Sequence, residues 1–193
     1  VRVLVVGLDS AAPELVFDRF RSELPNLSSL MEEGVYGPME SCHPPITVPA
    51  WAVMATGREP GELGMYGFRH RKVGTYDKTY VVSSLNLKEP AIWDLAGKEG
   101  LRCCVIAVPP GYPPKRVNGC WVSCFITPSK ERPYTYPPGL REEVERVSGG
   151  YVFDVEFRVE DRDRVLKGVY EMTEKHFRVV EHLLRREKWD FFM

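Results

Sequence analysis

Three features of this 193-residue sequence predict an α/β fold with a mostly parallel sheet flanked by helices. Residues Val1 to Leu8 form a short, β-branched and almost entirely apolar run, which is typical of a central parallel strand buried on both faces. Helix-like and strand-like segments then alternate, as they do in proteins built on a parallel sheet. Finally, a long amphipathic stretch over residues 161–187 precedes another apolar run that begins at Trp189.

The first half of the chain contains start and stop signals for helices, together with a proline pair that interrupts regular structure at residues 44–45. After the first strand, the predicted elements are a helix from about Pro13, a helix over residues 26–33, a strand over residues 35–42, and a helix from Thr47 to Gly57. Residues 58–88 are rich in glycine, tyrosine, arginine and lysine and lack helical periodicity. We therefore expect a long excursion over the surface there.

The α/β alternation resumes after this excursion. The predicted elements are a helix over residues 90–99, strands over 101–108 and 119–125, a helix near 140–147, an extended piece at 151–157, and the long helix before Trp189. Polar, proline-rich sequence within residues 127–157 indicates a second surface excursion around the short helix. We expect residues 1–193 to form a single α/β domain that is incomplete, because the last apolar run stops in mid-strand.

Charge and composition exclude several classes of function. The 26 basic and 27 acidic residues leave a net charge of −1, so no overall field draws the chain to a nucleic-acid polymer or an anionic membrane. No apolar run approaches the roughly 18 to 20 residues of a membrane span, and no signal peptide is recognisable. The five cysteines are an odd number in a chain of this size, which favours reduced thiols, four of them packed in the core. A cytoplasmic location is therefore expected.

Two residues lie where an α/β protein binds its ligands. Asp9 follows the first predicted strand, and ligands of open α/β sheets bind beyond the carboxyl ends of the strands. Thr47 opens a predicted helix, whose free N–H groups and dipole favour an anion such as phosphate. Each residue also has a purely structural interpretation, because Asp9 is suited to cap the following turn and Thr47 to be the N-cap of its helix.

Several short motifs occur together: Gly-Leu-Asp at residues 7–9, Leu-Pro-Asn-Leu at 24–27, Glu-Glu-Gly-Val at 32–35, Pro-Ile-Thr-Val-Pro-Ala-Trp at 45–51 and Ala-Thr-Gly at 55–57. Their order and spacing resemble the type I phosphodiesterase and nucleotide pyrophosphatase branch of the alkaline phosphatase superfamily. More narrowly, the chain is similar to a group of predicted phosphohydrolases or phosphomutases found in archaea. The resemblance extends over essentially the whole chain and implies an alkaline phosphatase-like fold.

The resemblance implies a hydrolase of phosphodiester or pyrophosphate bonds that acts on a small phosphate ester or a nucleotide. It also implies two divalent metal ions, usually zinc, with Asp9 and Thr47 as metal ligands and Thr47 as the nucleophile that forms a phosphothreonine intermediate. Paired metal ions suit this chemistry because they stabilise the attacking and leaving oxygens of an in-line displacement. The alternatives are a phosphomonoesterase or phosphomutase with the same site, and a non-catalytic phosphate-binding module.

The chain departs from the family pattern in three places. Phe68 stands where the pyrophosphatases have a phosphate-binding asparagine, and the neighbouring Arg69 is a candidate substitute because a guanidinium can hold phosphate oxygens in a bidentate way. Leu63-Gly64 replaces the usual His-Gly pair. The Asp and His ligands that the family supplies after the strand at Trp189 are missing. The expected site is therefore partial, either because this is the front part of a longer enzyme or because activity has been lost.

The histidines give weaker signals. His43 is close to Thr47 in sequence and is a candidate for substrate contact, although a lone histidine in a loop is more often a surface residue. His176 and His182 are six residues apart on the long predicted helix. This spacing places them on different faces and argues against a pair of metal ligands.

Overall fold

The structure, a computed structural model, describes all of residues 1–193 and is centred on a five-stranded sheet. Seven strands form: β1 Val3–Leu4, β2 Arg69–Arg71, β3 Thr79–Val81, β4 Cys103–Ile106, β5 Gly119–Val122, β6 Thr135–Tyr136 and β7 Phe191–Phe192. The order in the large sheet is β1-β7-β4-β5-β6, and every pairing is parallel except that of β5 with β6. The predicted α/β fold with a mostly parallel sheet is confirmed.

Six α-helices accompany the sheet: α1 Pro25–Glu33, α2 Thr47–Thr56, α3 Pro60–Leu63, α4 Ile92–Lys98, α5 Leu140–Ser148 and α6 Arg162–Arg186. The start of α6 is capped by the Asp161 carboxylate, which accepts a hydrogen bond from the Arg164 N–H. α2 ends at Gly57, whose φ of 66° lies in the left-handed region and lets its N–H bond to the Val53 carbonyl oxygen. None of the helices has both the length and the apolar composition that crossing a bilayer requires.

Helices cover both faces of the sheet, because successive residues of β4 point to opposite sides. Cys103 and Val105 pack with α2 and α4 in one cluster of buried residues. Cys104 and Ile106 pack with α5 and α6 in a second cluster on the other face. A strand buried on both faces needs apolar residues at every position, which explains the uninterrupted apolar run of β4.

The cysteines behave as core residues. All five are free, and all except Cys42 are buried, as the sequence predicts for four packed thiols. Burial raises the pKa of the Cys103 thiol to about 11. Because the thiolate is the nucleophilic form, a buried thiol with a raised pKa is chemically inert.

The first strand differs from its prediction. Regular pairing is limited to Val3–Leu4, and β1 lies at the edge of the sheet with β7 as its one neighbour. The side chains of Val3 and Leu4 are 49% and 47% exposed. The prediction of a central strand buried on both faces over Val1–Leu8 was wrong, because hydropathy does not report the order of strands in a sheet.

The strand predicted for residues 35–42 does not form. This segment pairs with no other strand, and its larger apolar residues, among them Val35 and Met39, are exposed. A strand exists only when a neighbouring strand completes its hydrogen bonds. The alternation of apolar residues between Val35 and Cys42 therefore indicated a strand for which the fold supplies no partner.

The two stretches expected to be surface excursions are more ordered than their composition suggests. Within residues 58–88, α3 is followed by a β2–β3 hairpin in which Arg69 pairs with Val81. Residues 127–157 contain β6 and α5, and Tyr134 and Tyr151 are completely buried there. The second stretch is therefore part of the core on the α5 and α6 face, because its aromatic residues pack inward.

Candidate active site

A cavity of about 290 Å³ opens beyond the carboxyl ends of β1, β4 and β7. Its wall contains Asp9 from the segment after β1, Ala107 from the segment after β4, Met193 from the end of β7 and His176 from α6. In open α/β sheets this edge is where ligands bind, because the loops that follow neighbouring parallel strands converge there. Asp9 is therefore at the ligand-binding edge of the sheet, as its position in the sequence predicts.

The carboxylate of Asp9 is held by two hydrogen bonds. The indole Nε1–H of Trp51 donates to Asp9 Oδ2 at 3.2 Å, and the Ser10 hydroxyl donates to Asp9 Oδ1 at 3.2 Å. Each carboxylate oxygen has further lone pairs, which remain available to a cation. This contact joins the segment after β1 to α2 and orients the carboxylate.

Gly7 explains why the motif before Asp9 contains a glycine. A Cβ atom at this position would lie 2.1 Å from Cη2 of the Trp51 ring, which is far inside contact distance. The absence of a side chain lets the indole lie against the backbone and reach Asp9. The Gly-Leu-Asp motif and Trp51 therefore form one packing unit, although they are far apart in sequence.

Thr47 is the first residue of α2 and is not its N-cap. The N-cap is Ile46, and no side chain caps the helix. The helical hydrogen bonds begin with the Ala50 N–H, which donates to the Ile46 carbonyl oxygen at 3.0 Å, so the N–H groups of Thr47 and Val48 lie outside that ladder. The capping interpretation of Thr47 was wrong, and its hydroxyl lies at a helix N-terminus that favours anions.

The hydroxyl of Thr47 and the carboxylate of Asp9 are linked through α2. Trp51 follows Thr47 by four residues, which places the two side chains on the same face of the helix, one turn apart. Trp51 in turn is bonded to Asp9. Buried Val48, Ala52 and Ala55 anchor the helix in the core, so its N-terminus has a fixed position relative to the sheet.

Two residues at this edge have a left-handed backbone that is unusual for side chains other than glycine. Ser10, which donates to Asp9, has a φ of 59°, and Ala107 in the cavity wall has a φ of 58°. Such conformations cost of order 1–3 kcal/mol each and concentrate at functional sites. Their occurrence next to Asp9 and in the cavity wall supports a function for this edge.

Asp154 and His176 also line the cavity, and neither was selected from the sequence. His176 lies on the inward-facing stripe of α6, in which Met172 and His176 are half-buried and Val179 and Leu183 are buried, at helical spacing. That position on an otherwise apolar stripe is the signal that could have identified it. Asp154 has no comparable local signal, because its location depends on how the segment after α5 crosses the sheet edge.

The imidazole of His176 is held in one orientation. Its ring stacks on Tyr151 with centroids 4.7 Å apart and an interplanar angle of 9°. Nε2 lies 2.6 Å from the Val152 carbonyl oxygen, so Nε2 carries the proton and donates it. Burial lowers the pKa of His176, which favours the neutral ring with Nδ1 as a hydrogen-bond acceptor.

Of the four candidates from the sequence, only Asp9 lines the cavity, and Thr47, His43 and Arg69 do not. His43 is on an exposed loop, where its Nε2 is 3.6 Å from the Glu40 carboxylate. Arg69 is exposed on β2. The neighbouring Phe68 packs on Phe125, with ring centroids 6.0 Å apart, and Phe125 lines the cavity, so the hairpin carrying Arg69 lies beside the site. Substrate contacts by His43 and Arg69 stay predictions.

The residues at this edge supply part of a metal site. The Asp9 carboxylate and the Thr47 hydroxyl are hard oxygen donors of the kind that divalent cations bind. The structure contains no group of three or more histidine, cysteine, aspartate or glutamate side chains arranged to hold a metal ion. The donor set therefore fits one side of a metal centre and is too small to complete one.

Comparison with known proteins identifies the family. Residues 3–193 match the model of the family described as type I phosphodiesterase / nucleotide pyrophosphatase. No curated protein and no solved structure matches the chain. The match extends from β1 to β7 and includes the motifs around Asp9 and Thr47. The chain therefore belongs to the type I phosphodiesterase and nucleotide pyrophosphatase family, a family of hydrolases within the alkaline phosphatase superfamily.

Proposed function

We propose that this protein is a metal-dependent hydrolase of phosphodiester or pyrophosphate bonds, with Thr47 as the nucleophile. The observation that carries the proposal is the hydroxyl at the first position of α2, which is not used for capping. It lies one helical turn from Trp51, which holds the Asp9 carboxylate. Together these residues offer a nucleophile, a cation ligand and an anion-binding helix end at the edge where α/β proteins bind substrates.

In the proposed reaction the Thr47 oxygen attacks phosphorus, and the alcohol or phosphate on the opposite side departs. A threonine hydroxyl is a poor nucleophile, and a bound metal ion would lower its pKa and offset the charge of the phosphate oxygens. The N–H groups of Thr47 and Val48 lie at the helix end, where they are suited to stabilise phosphate oxygens as charge develops. Water then cleaves the phosphothreonine and restores the hydroxyl.

Asp9 is proposed as a metal ligand and Trp51 as the residue that orients it. Zinc is the metal we infer from the family, in a pair of ions. Because no group of three ligand side chains forms within these residues, the proposal requires further ligands from another segment of polypeptide. We further propose a small phosphate ester or nucleotide as substrate and a cytoplasmic location, which is consistent with five free thiols.

The test is hydrolysis of bis(p-nitrophenyl) phosphate with added zinc. We expect turnover by the intact wild-type protein, in which the remaining metal ligands are present, and a loss of at least about 10³-fold in its Thr47→Ala variant, because the covalent step has no other nucleophile. The matched control is Thr56→Ala in the last turn of the same helix, where the hydroxyl donates to the Ala52 carbonyl oxygen. This control should retain the wild-type rate.

Three outcomes would contradict the proposal. Unchanged turnover by Thr47→Ala would show that Thr47 is not the nucleophile. Absence of hydrolysis, together with phosphate binding at the N-terminus of α2, would favour a non-catalytic phosphate-binding module. A faster rate with p-nitrophenyl phosphate than with the diester would assign a phosphomonoesterase or phosphomutase instead.

A further inference from the structure

The hairpin of β2 and β3 concentrates positive charge in a chain whose net charge is −1. Residues 69–78 contain one carboxylate, at Asp77, and four exposed basic side chains: Arg69, Arg71, Lys72 and Lys78. None of the four takes part in any ion pair of the protein. The overall charge is balanced elsewhere, so this cluster creates a local field that attracts an anionic partner.

Two of these lysines oppose each other at the end of the hairpin. The ladder of β2 and β3 extends one position beyond the strands, where the Lys72 N–H donates to the Lys78 carbonyl oxygen at 2.8 Å. Like charges placed directly opposite each other in an antiparallel pair lower stability. The fold therefore gains nothing from this pair of lysines, which points to a role in binding.

The turn between these lysines, residues 73–77, carries two apolar side chains that project into solvent. Val73 is 97% exposed and Tyr76 is 90% exposed. The turn is held in shape by Thr75, whose N–H and hydroxyl both donate to the Lys72 carbonyl oxygen, at 3.0 Å and 2.7 Å. The fold therefore presents an apolar tip directly beside unpaired cations.

This combination fits an anionic membrane surface better than a nucleic acid. Single strands bind in a basic groove where their bases stack on free aromatic faces. Here the tip projects, Val73 has no ring, and the Arg71 guanidinium lies over the Tyr76 ring at 5.7 Å from its centroid. At a bilayer, by contrast, tyrosine and aliphatic groups enter the head-group region while basic side chains attract anionic lipids.

We propose that the tip of the β2–β3 hairpin docks on a membrane surface that contains anionic phospholipids. Val73 and Tyr76 enter the head-group region, and Arg71, Lys72 and Lys78 contact the lipid phosphates. Attachment of this kind is peripheral and reversible, because it uses a few exposed side chains and a charge interaction that salt screens.

The docking surface is close to the candidate active site but separate from it. Phe68, directly before β2, packs on Phe125 in the cavity wall. About five extended residues, or roughly 17 Å, separate Phe68 from the tip. Docking would therefore hold the candidate site near the membrane surface. The proposal does not depend on the reaction proposed for Thr47, because docking is measured without turnover.

The test is co-sedimentation of the intact protein with phospholipid vesicles at about 0.1 M salt. One set of vesicles is phosphatidylcholine with about 30% phosphatidylglycerol, and the other is phosphatidylcholine alone. We expect binding to the anionic set to be at least about tenfold tighter. This binding should weaken as the salt concentration rises, because exposed charges are screened.

Removal of the opposed lysines should release the protein from the anionic vesicles. Each basic residue near a membrane surface contributes about fivefold in affinity, so Lys72→Gln combined with Lys78→Gln should weaken binding about 25-fold. The matched control, Lys98→Gln combined with Arg116→Gln, removes the same charge from two exposed residues outside the hairpin and should bind within about twofold of wild type. Urea unfolding of the lysine variant should show no loss of stability, because a like-charge pair has been removed.

The apolar tip is tested separately with Val73→Ser combined with Tyr76→Ser. This variant keeps every charge of the hairpin and should bind anionic vesicles at least about tenfold more weakly, because two apolar groups no longer leave water on docking. Unchanged binding by this variant would show that the tip does not enter the head-group region and would overturn the proposal.

Further outcomes would also overturn it. Equal binding to the two sets of vesicles, or equal binding by the lysine variant and wild type, would show that the cluster does not recognise an anionic surface. Release from the vesicles by inorganic phosphate at constant ionic strength would assign the lysines to a free anion. Tighter binding of single-stranded polythymidine than of anionic vesicles, lost in the lysine variant, would assign the hairpin to nucleic acid.

Discussion

Residues 1–46 and residues 47–193 differ in how firmly they are held, although both contribute to the candidate site. Met31 is the single buried residue in the first region. The second region contains two core clusters of 15 and 12 buried residues on the two faces of the sheet. Asp9 belongs to the first region and Thr47 begins the second. The proposed metal ligand therefore lies in the loosely held region, and the proposed nucleophile lies in the firmly held one.

Few contacts connect the first region to the sheet. The N–H groups of Val3 and Val5 donate to the carbonyl oxygens of Asp190 and Phe192, each at 2.8 Å. The hydrogen bond from Trp51 to Asp9 adds a side-chain connection. Segments with few buried apolar contacts open at lower free energy than the core. We therefore expect changes in the first region to affect the site more than global stability, and the reverse in the second.

The largest expected effect is a difference in stability between two leucine-to-alanine variants, one in each region. Leu183 on α6 is completely buried, and Leu183→Ala should lower the free energy of unfolding by about 2–5 kcal/mol. Leu4 on β1 is 47% exposed, and Leu4→Ala should cost about 1 kcal/mol or less. Urea unfolding of both variants measures the difference. Similar losses in the two variants would contradict the distinction between the regions.

A smaller effect is expected from Gly7→Ala, which should lower hydrolytic activity more than it lowers stability. The new Cβ would displace the Trp51 ring and break its hydrogen bond to Asp9. Loss of a residue that orients a metal ligand typically costs 10–100-fold in metal affinity or activity, and we expect about tenfold here. Zinc-supported hydrolysis by the intact protein measures this loss. The free energy of unfolding, measured with urea, should change by less than about 1 kcal/mol, because the region is loosely held.

The control for this prediction is Gly37→Ala. A Cβ at Gly37 would meet no atom within 4 Å, so both hydrolysis and stability should be close to wild type. If Gly7→Ala leaves hydrolysis unchanged, Trp51 does not position Asp9.

The smallest expected effect concerns the pH dependence of stability through His176. Burial lowers its pKa in the folded protein, so below about pH 6.5 the unfolded chain binds more protons than the folded one. The free energy of unfolding should therefore fall as the pH decreases through this value. The contribution of one group cannot exceed about 1.4 kcal/mol per pH unit. The groups beside this ring are Asp154, which shares its cavity, and Tyr151, which stacks on it.

Replacement by glutamine isolates this contribution, because an amide can still donate to the Val152 carbonyl oxygen. Urea unfolding at about pH 7.5 and about pH 5 should show a smaller difference for His176→Gln than for wild type. The control, His43→Gln, removes an imidazole from an exposed loop. An equal pH dependence in wild type and His176→Gln would show that protonation of His176 does not oppose folding.

The well-held region was also the more predictable one, because its signals are local. α2 was predicted to begin at Thr47 and end at Gly57, since Pro49 suits the first turn and glycine suits the left-handed end. α6 was predicted within one residue at each end from its apolar periodicity. β4 and β5 were identified by short apolar runs. Each of these signals is contained within the element itself.

The failures were all non-local. The run Val1–Leu8 is apolar enough for a central strand, but its place at the sheet edge depends on β7, nearly the whole chain away. Residues 35–42 have the alternation of a strand and lack a partner. The candidate site shows the same division. Asp9 and Thr47 belong to recognisable motifs, whereas Asp154 and His176 share a cavity with Asp9 through packing of distant segments.

The outer edge of β1 has a consequence for the behaviour of the protein in concentrated solution. The backbone N–H and C=O groups on the side of β1 away from β7 have no strand beside them, and the valine and leucine side chains are partly exposed. An open apolar edge of this kind is a template for adding a strand from another chain. Self-association at high concentration should therefore begin at Val3–Leu4, and a lysine at Val3 would suppress it by placing a charge where a second strand would dock.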